Sequence, residues 1–325
     1  DAVLGSCRRD QPVAAQALLV QRVLPRCGFA VGRRSSALRL PADAGTIKFM
    51  KRCYVDTRHG QVHVTMAGEG PAVLLMHWVP LSGRMYAHEL SVFAAAGYRA
   101  LAVDLMGFGR SDRREGPVWS VPQHADVLEE VLSALDARSV TVVGGHYSTP
   151  MAVELAQAER AARRDIRALV IDGGPMLPPE ALQTLLQRAR IGSGPGLKDD
   201  DSHRSWLWDQ AVHTLGLFAP TDFKLDEAHL PQVYGFIADF IDSGLRGDMS
   251  ALQPYEFAQR LAAVALPTLV LTAETEPLRA SFEPMVAARG DCMTHVFPVD
   301  HPINVPTRRG EFARAILHFL DDRSR

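Results

Sequence analysis

From Met50 onward, short continuously apolar runs alternate with stretches of helical periodicity, which predicts a mostly parallel sheet flanked by helices. Gln61 to Met66 alternates apolar and polar positions, as an early half-exposed strand does. Ala72-Val73-Leu74-Leu75-Met76 is apolar throughout, the pattern of a strand buried on both faces. Further strands are predicted at residues 99–103, at Val140-Thr141-Val142-Val143, at Ala168-Leu169-Val170-Ile171, at Thr268-Leu269-Val270-Leu271 and at His295-Val296-Phe297. Between them, residues 84–96 predict a helix ended by Gly97, a natural residue just past a helix C-terminus. Val127, Leu128, Val131, Leu132 and Leu135 form the stripe of a helix with one buried face. Residues 150–156 predict a further helix, and Phe312, Ile316 and Phe319 mark a closing one.

The rhythm changes over residues 173–266. Pro175, Pro178 and Pro179 open this segment and no strand-like run occurs within it. Val233, Phe236, Ile237, Phe240 and Ile241 form an amphipathic helix, and residues 179–191 predict another. Gly192-Ser193-Gly194-Pro195-Gly196, followed by Lys198-Asp199-Asp200-Asp201, reads as a loop. A helical insertion between two strands of one sheet is expected to lie over the sheet's working edge as a lid. The domain plan is therefore an extension over 1–49, a core over 50–172 and 267–325, and a lid over 173–266.

Composition adds mainly exclusions. The chain has 325 residues, 47% hydrophobic and 22% charged, with a formal net charge of −2. That is an ordinary globular composition with no basic excess to recruit nucleic acid or anionic membrane. Cys7, Cys27, Cys53 and Cys292 are widely spaced and form no C-x-x-C pair, which argues against a disulfide framework or zinc ribbon. No apolar run reaches the ~18 residues needed to span a bilayer. The expectation is a cytoplasmic protein. Residues 1–49 carry seven Arg and one Lys against three Asp, an acid-poor composition seen in transit peptides. They are expected to be a dispensable extension without a functional role.

The candidate chemistry clusters just after the predicted strands. Gly144-Gly145-His146-Tyr147-Ser148 joins an apolar run to a helix through small residues. His77-Trp78-Val79-Pro80 follows the Ala72–Met76 run, and Asp104-Leu105-Met106-Gly107-Phe108-Gly109-Arg110-Ser111-Asp112 follows the next. Asp172 ends the Ala168–Ile171 run, Thr272-Ala273-Glu274-Thr275-Glu276-Pro277 follows Thr268–Leu271, and Asp300-His301 precedes the last helix. In order and spacing these segments resemble the α/β-hydrolase superfamily, in its lidded branch of epoxide hydrolases, haloalkane dehalogenases and carbon–carbon bond hydrolases. They match its H-G-x-P segment, its D-x-x-G-x-G-x-S turn, its nucleophile elbow (G-x-S-x-G), its G-x-x-D-P acid turn and its late histidine. The resemblance runs from Met50 to the C-terminus. It implies an α/β-hydrolase fold with a helical lid inserted between strands 6 and 7.

By that resemblance His146 stands where the nucleophile belongs, His301 is the general base, and Glu276 orients its imidazole. Asp172 occupies an alternative acid position. Backbone amides of Tyr147 and of Trp78 or Val79 are expected to form the oxyanion hole. His77, Trp78, Trp206, Trp208, Tyr234 and Phe236 are expected to line the substrate pocket. A neutral imidazole can attack an acyl carbon, or two histidines can activate water, so His146 is either nucleophile or base. Shifting the elbow by one residue would put Tyr147 at its tip, and Ser148 lies two positions past it. His77 also has a structural reading as a brace between loops, and Asp104 and Ser111 are expected to order their turn. A metal set of His77, His146 and His301 with Asp104 or Asp172 has the right donor types. It lacks any local ligand spacing, so no metal and no cofactor is expected. The reading is an enzyme hydrolysing a small, mostly apolar ester, lactone or related carbonyl compound. The alternatives are a lyase, isomerase, cyclase or cofactor-free oxygenase using a histidine–acid base, or a non-catalytic ligand-binding relative. The expected partner is a small-molecule substrate.

Overall fold

The computed structural model describes residues 50–113, 119–189, 200, 202–217, 223–243 and 255–322. The extension over 1–49 and most of the expected 192–201 loop lie outside the described residues. In chain order the elements are β1 (Lys51–Thr57), β2 (Gly60–Ala67), β3 (Ala72–Met76), α1 (Ala87–Ala95), β4 (Arg99–Val103), α2 (Val121–Ala134) and β5 (Val140–Gly145). Then come α3 (Thr149–Leu155), α4 (Ala158–Arg164), β6 (Ile166–Asp172), α5 (Pro179–Ala189), α6 (Ser202–Leu217) and α7 (Leu230–Ser243). The chain closes with α8 (Phe257–Ala262), β7 (Thr268–Ala273), α9 (Phe282–Arg289), β8 (Met293–Phe297) and α10 (Glu311–Asp322).

The strands form one sheet in the order β1-β2-β4-β3-β5-β6-β7-β8. β2 pairs antiparallel with both β1 and β4, and every other pairing is parallel. β1 was not anticipated. It is a mostly exposed edge strand carrying Lys51, Arg52 and Asp56, so it lacks the apolar run that marks the inner strands.

Successive strand residues point to opposite faces, and the apolar runs therefore divide into two cores. On one face Leu74, Met76, Leu101, Val103, Val142, Leu169, Ile171 and Val270 pack under α2, α3, α8 and α9. On the other, Val73, Leu75, Ala100, Ala102, Val143, Val170, Leu269 and Leu271 meet Leu90 and Phe93 of α1 and Phe312, Ile316 and Phe319 of α10. Phe257, Leu261 and Val264 belong to the first core. The end of the segment assigned to the lid is thus part of the sheet's own packing. Parallel register brings Met76 level with Gly144, Gly145 with Asp172, and Ala273 with Phe297. The residues after these strands consequently open on one edge, the usual ligand edge of such sheets.

Helix α7 is fixed to that edge by polar contacts as well as apolar ones. Val233, Phe236 and Phe240 join Trp78 and Leu81 in a third apolar cluster with Ala211 and Leu215 of α6. Ser82 Oγ donates to Asp239 Oδ1 at 2.7 Å, and Arg84 Nε lies 3.3 Å from the same oxygen. Arg113 donates to the Ile241 and Asp242 carbonyls, and Gln232 Nε2 donates to Asn304 Oδ1 at 3.0 Å. Burial drives the Asp239 carboxyl up to about 6, and the Asp104 and Asp242 charges push the same way; Ser82 and Arg84 oppose the shift.

Because the folded value is raised above the ordinary one, ionising Asp239 costs stability. The cost is absent below about pH 4 and complete above about pH 6. Acidifying from pH 8 to pH 5 should therefore stabilise the wild type relative to Asp239→Asn by about 1.4 kcal/mol, the part of the cost that is lost within the first pH unit below the folded value. Urea midpoints of the two proteins across that range test this. Parallel pH profiles would show that Asp239 titrates as an ordinary carboxylate.

Candidate active site

The turn from β5 into α3 is built around two glycines and a histidine. A Cβ on Gly144 would lie 2.7 Å from both Ala152 Cβ and the Ser148 carbonyl oxygen. A Cβ on Gly145 would run into the Trp78 indole. Only glycine lets the strand end pass between the helix and that ring. His146 follows with φ of 51°, in the left-handed region that costs a residue with a Cβ roughly 1 kcal/mol or more.

The strain is held by hydroxyls. Ser148 Oγ accepts from Gly145 N at 2.9 Å and shares its proton between the Met76 oxygen at 2.8 Å and the Gly145 oxygen at 3.0 Å. Thr149 Oγ1 lies 2.6 Å from the Gly173 oxygen and 3.1 Å from the Gly144 oxygen. The ends of β3, β5 and β6 are thereby pinned to one another. Ser148 is fully buried and committed to backbone, so it braces the elbow. Tyr147 buries its ring in the core, 6.2 Å from Phe108 and 6.3 Å from His124. His146 is the residue at the tip.

Two histidine–carboxylate pairs stand side by side here. His146 Nε2 is 2.7 Å from Glu276 Oε1. The other Glu276 oxygen receives Thr272 Oγ1 at 3.2 Å and the Ala273 N–H at 3.3 Å. His301 Nε2 is 3.1 Å from both oxygens of Asp172, and its Nδ1 accepts the Ile303 N–H at 3.4 Å. The expectation that Glu276 orients His301 is therefore corrected: Asp172 does so, and Glu276 serves His146. Thr272 and the Ala273 amide turn the Glu276 carboxylate toward the elbow, whereas Asp172 ends β6 directly against His301.

Trp78 contacts both imidazoles. Its indole stacks on His146 with centroids 4.0 Å apart and planes 3° from parallel. Its edge meets His301 at 5.0 Å and 76°. Both nitrogens of His301 are engaged, by Asp172 and by the Ile303 amide. Burial alone would lower the His301 pKa, but the charge and hydrogen bond of Asp172, with Glu276 and Glu89 beyond, outweigh it and the value is raised.

His77 leaves the expected pocket. Its Nε2 accepts the Leu105 N–H at 3.0 Å, so the ring proton sits on Nδ1 and is donated to the Trp78 oxygen at 2.8 Å. Burial lowers its pKa, and it acts as a neutral brace between two loops. Asp104 accepts from His63 Nδ1, Gly83 N and Arg110 N at 2.8–2.9 Å and orders its turn, as the sequence suggested. Ser111 Oγ donates to the Asp104 oxygen at 2.6 Å within the same turn. The Trp78 amide points to the Met85 sulfur at 3.5 Å, a weak partner, and Val79 packs half-buried against the core.

Among the helical residues expected at the pocket, Phe236 and Trp208 join Trp78 in the third apolar cluster. Tyr234 is corrected to the outer face of α7, 58% exposed, because it lies on the side away from Val233, Phe236 and Phe240. Trp206 is half-buried and outside that cluster. The sequence reading missed Thr272 and Gly173. Thr272 stands in the motif quoted for Glu276, and its spacing of four residues from that carboxylate was the available signal.

Comparison with known proteins agrees with this architecture. A family described as alpha/beta hydrolase fold matches residues 71–193. The protein has the α/β-hydrolase fold. Haloalkane dehalogenase 2 of Mycobacterium bovis is 28% identical over 159 residues, covering 49% of this chain and 54% of that protein. An epoxide hydrolase of Caballeronia sordidicola is 35% identical over 96 residues, 29% of each chain. The chain thus spans about half or less of the length of these relatives. The crystal structure of an epoxide hydrolase from Vigna radiata superposes with a TM-score of 0.66 at 18% identity, over 84% of this chain and 98% of that one. Among the described residues no helix is long and apolar enough to cross a membrane.

Ser148 provides a direct check on the elbow's construction. Ser148→Ala strands the Gly145 amide and should cost about 1–3 kcal/mol, read from urea unfolding. Turnover of any substrate should persist in the folded fraction. Complete loss of turnover with unchanged stability would make Ser148 a reacting group.

Proposed function

We propose that the protein is an enzyme that hydrolyses a small, mostly apolar ester, lactone or related carbonyl compound through His146 at the elbow, in place of the usual serine. The observation that supports it most is the placement of His146: a strained residue at the strand–helix turn, with Nε2 2.7 Å from a buried carboxylate. The kinship with dehalogenases and epoxide hydrolases supports the broader assignment to hydrolases.

In this reading Nε2 lies beside the Glu276 carboxylate at 2.7 Å and carries the ring proton, which leaves the lone pair on Nδ1. Nδ1 attacks the acyl carbon, and the C=O electron pair moves to oxygen as a tetrahedral oxyanion. Backbone amides of Tyr147 and of Trp78 or Val79 receive that charge. Collapse breaks the C–O bond, the alkoxide takes a proton from solvent, and water then cleaves the acyl-imidazole. The Glu276 charge stabilises the imidazolium that develops, the role a carboxylate plays in a serine triad. His301 and Asp172 hold the floor beneath Trp78 rather than taking the nucleophile's proton. Helices α6 and α7 act as the lid, and the cluster of Trp78, Trp208, Phe236 and Phe240 favours apolar substrates.

A second reading is supported by the raised His301 pKa beside the His146–Glu276 pair, which places an acid near a base. That arrangement suits proton transfer on a carbonyl compound, as in an isomerase or lyase, with no covalent intermediate.

Turnover of a p-nitrophenyl ester panel by the wild type, His146→Ala, Glu276→Gln and His301→Ala separates these readings. The hydrolytic mechanism expects His146→Ala to abolish ester turnover and Glu276→Gln to lower kcat by about 10²-fold with KM little changed. Ester turnover that survives His146→Ala would refute it. Exchange of α-protons of a small ketone with deuterated water, lost in the same variants but without ester hydrolysis, would establish the second reading.

A further inference from the structure

We propose that Asp172, Glu276 and His301 form a binding site for one divalent transition-metal cation of the zinc class, set beside the Trp78 indole. The set differs from the one weighed on sequence. His77 is taken up by backbone groups, whereas Glu276, left out of that set, is brought in by the pairing of β6, β7 and β8.

The donor atoms supply the first argument. One atom from each of the three residues lies within 4.8 Å of the other two, and all three residues are buried. Bonds of about 2.0–2.2 Å to nitrogen and carboxylate oxygen in a tetrahedral shell put donors about 3.3–3.6 Å apart. Side-chain movement of up to about an ångström draws the three atoms onto one ion. One imidazole with two carboxylates suits a borderline first-row cation better than magnesium or calcium, which favour all-oxygen shells.

Unmet polarity inside the cluster is the second argument. The single Nε2 proton of His301 is donated to Asp172 Oδ1, which leaves Oδ2 buried without a hydrogen bond. Glu276 Oε1 is likewise buried; it stands at ion-pair distance from His146, off the line of a hydrogen bond. Two carboxylates turned into one dry space call for positive charge, and a dication meets both at once.

The surroundings are already arranged to aim these ligands. Thr272 Oγ1 and the Ala273 amide hold Glu276 Oε2, the kind of outer contact that orients a metal-binding carboxylate. Gly173, at φ 67°, keeps the neighbouring space open, since a Cβ there would sit 2.6 Å from Glu276 Oε1. Binding replaces the Nε2 proton of His301 with the cation. The ring proton then resides on Nδ1; the Asp172 hydrogen bond gives way to the metal bonds, and the long Ile303 contact of 3.4 Å is surrendered.

The site shares Glu276 with the hydrolytic reading, and its test therefore reads binding alone. The full chain, stripped with a chelator and returned to pH 8, is titrated with zinc chloride by calorimetry, with magnesium and calcium chloride as comparison. The expected result is one equivalent of zinc and no heat from the other two. Asp172→Asn and Glu276→Gln should each weaken binding tenfold or more, while His146→Ala retains one equivalent. No zinc uptake by folded wild type, or uptake unchanged in both carboxylate variants, would overturn the proposal. Should the variants fail to fold, cobalt(II) reads the site in the wild type. Intense visible bands of a four- or five-coordinate ion are expected, and the weak spectrum of a hexahydrated ion would refute it. If His146→Ala abolishes ester turnover yet keeps its zinc, the two proposals stand separately; loss of zinc alone leaves the hydrolytic reading untouched.

Discussion

The packing of the Trp78 indole against Gly145 and His146 is the contact on which the arrangement of the site depends. The ring fills the space that a side chain at 145 would take, stacks flat on the elbow imidazole and sets its edge against His301. The same residue belongs to the apolar cluster shared with α6 and α7, so one side chain links the sheet edge to the helices above it. His77 and Leu81 hold its backbone carbonyl through two hydrogen bonds, which fixes the loop that carries the ring. Beside the indole each histidine takes its own carboxylate, Glu276 for His146 and Asp172 for His301.

Much of the fold was legible in the sequence because burial on both faces writes a continuous apolar run, as in Ala72 to Met76. The edge strand β1 was not, since exposure removes that signature. The helical insertion announced itself by its prolines and by the stripe through Val233 and Phe240. Its far boundary was less visible, because the apolar positions Phe257, Leu261 and Val264 look alike whether they face a lid or a core. Which face of α7 carries Tyr234 follows from helical periodicity, but a pocket reading based on aromatic content alone overlooked it.

The candidate site was legible residue by residue but not in its pairings. His146, Glu276, Asp172 and His301 all follow strands that end together, so their convergence could be argued from topology. Two histidines and two carboxylates allow two pairings, and linear order does not choose between them. The choice is made by Thr272 and the Ala273 amide, which turn Glu276 toward the elbow, and by Asp172 standing on the last residue of its strand. Similarly, the bracing roles of Ser148 and His77 rest on backbone partners far away in the chain, Met76 for one and Leu105 for the other.

Gly173 carries a consequence for how this sequence can diverge. Any side chain there would strike both Glu276 Oε1 and His146 Cδ2, the latter at 2.9 Å, while the Thr149 hydroxyl grips the carbonyl at the same position. Positions 146, 173 and 276 therefore do not vary independently. A descendant that replaces the glycine first loses the pair beside it, whereas one that first shortens the residue at 146 or 276 opens room for the change. The order in which substitutions become acceptable is written into the crowding of this one turn, and the histidine at the elbow is one of the residues that enforce it.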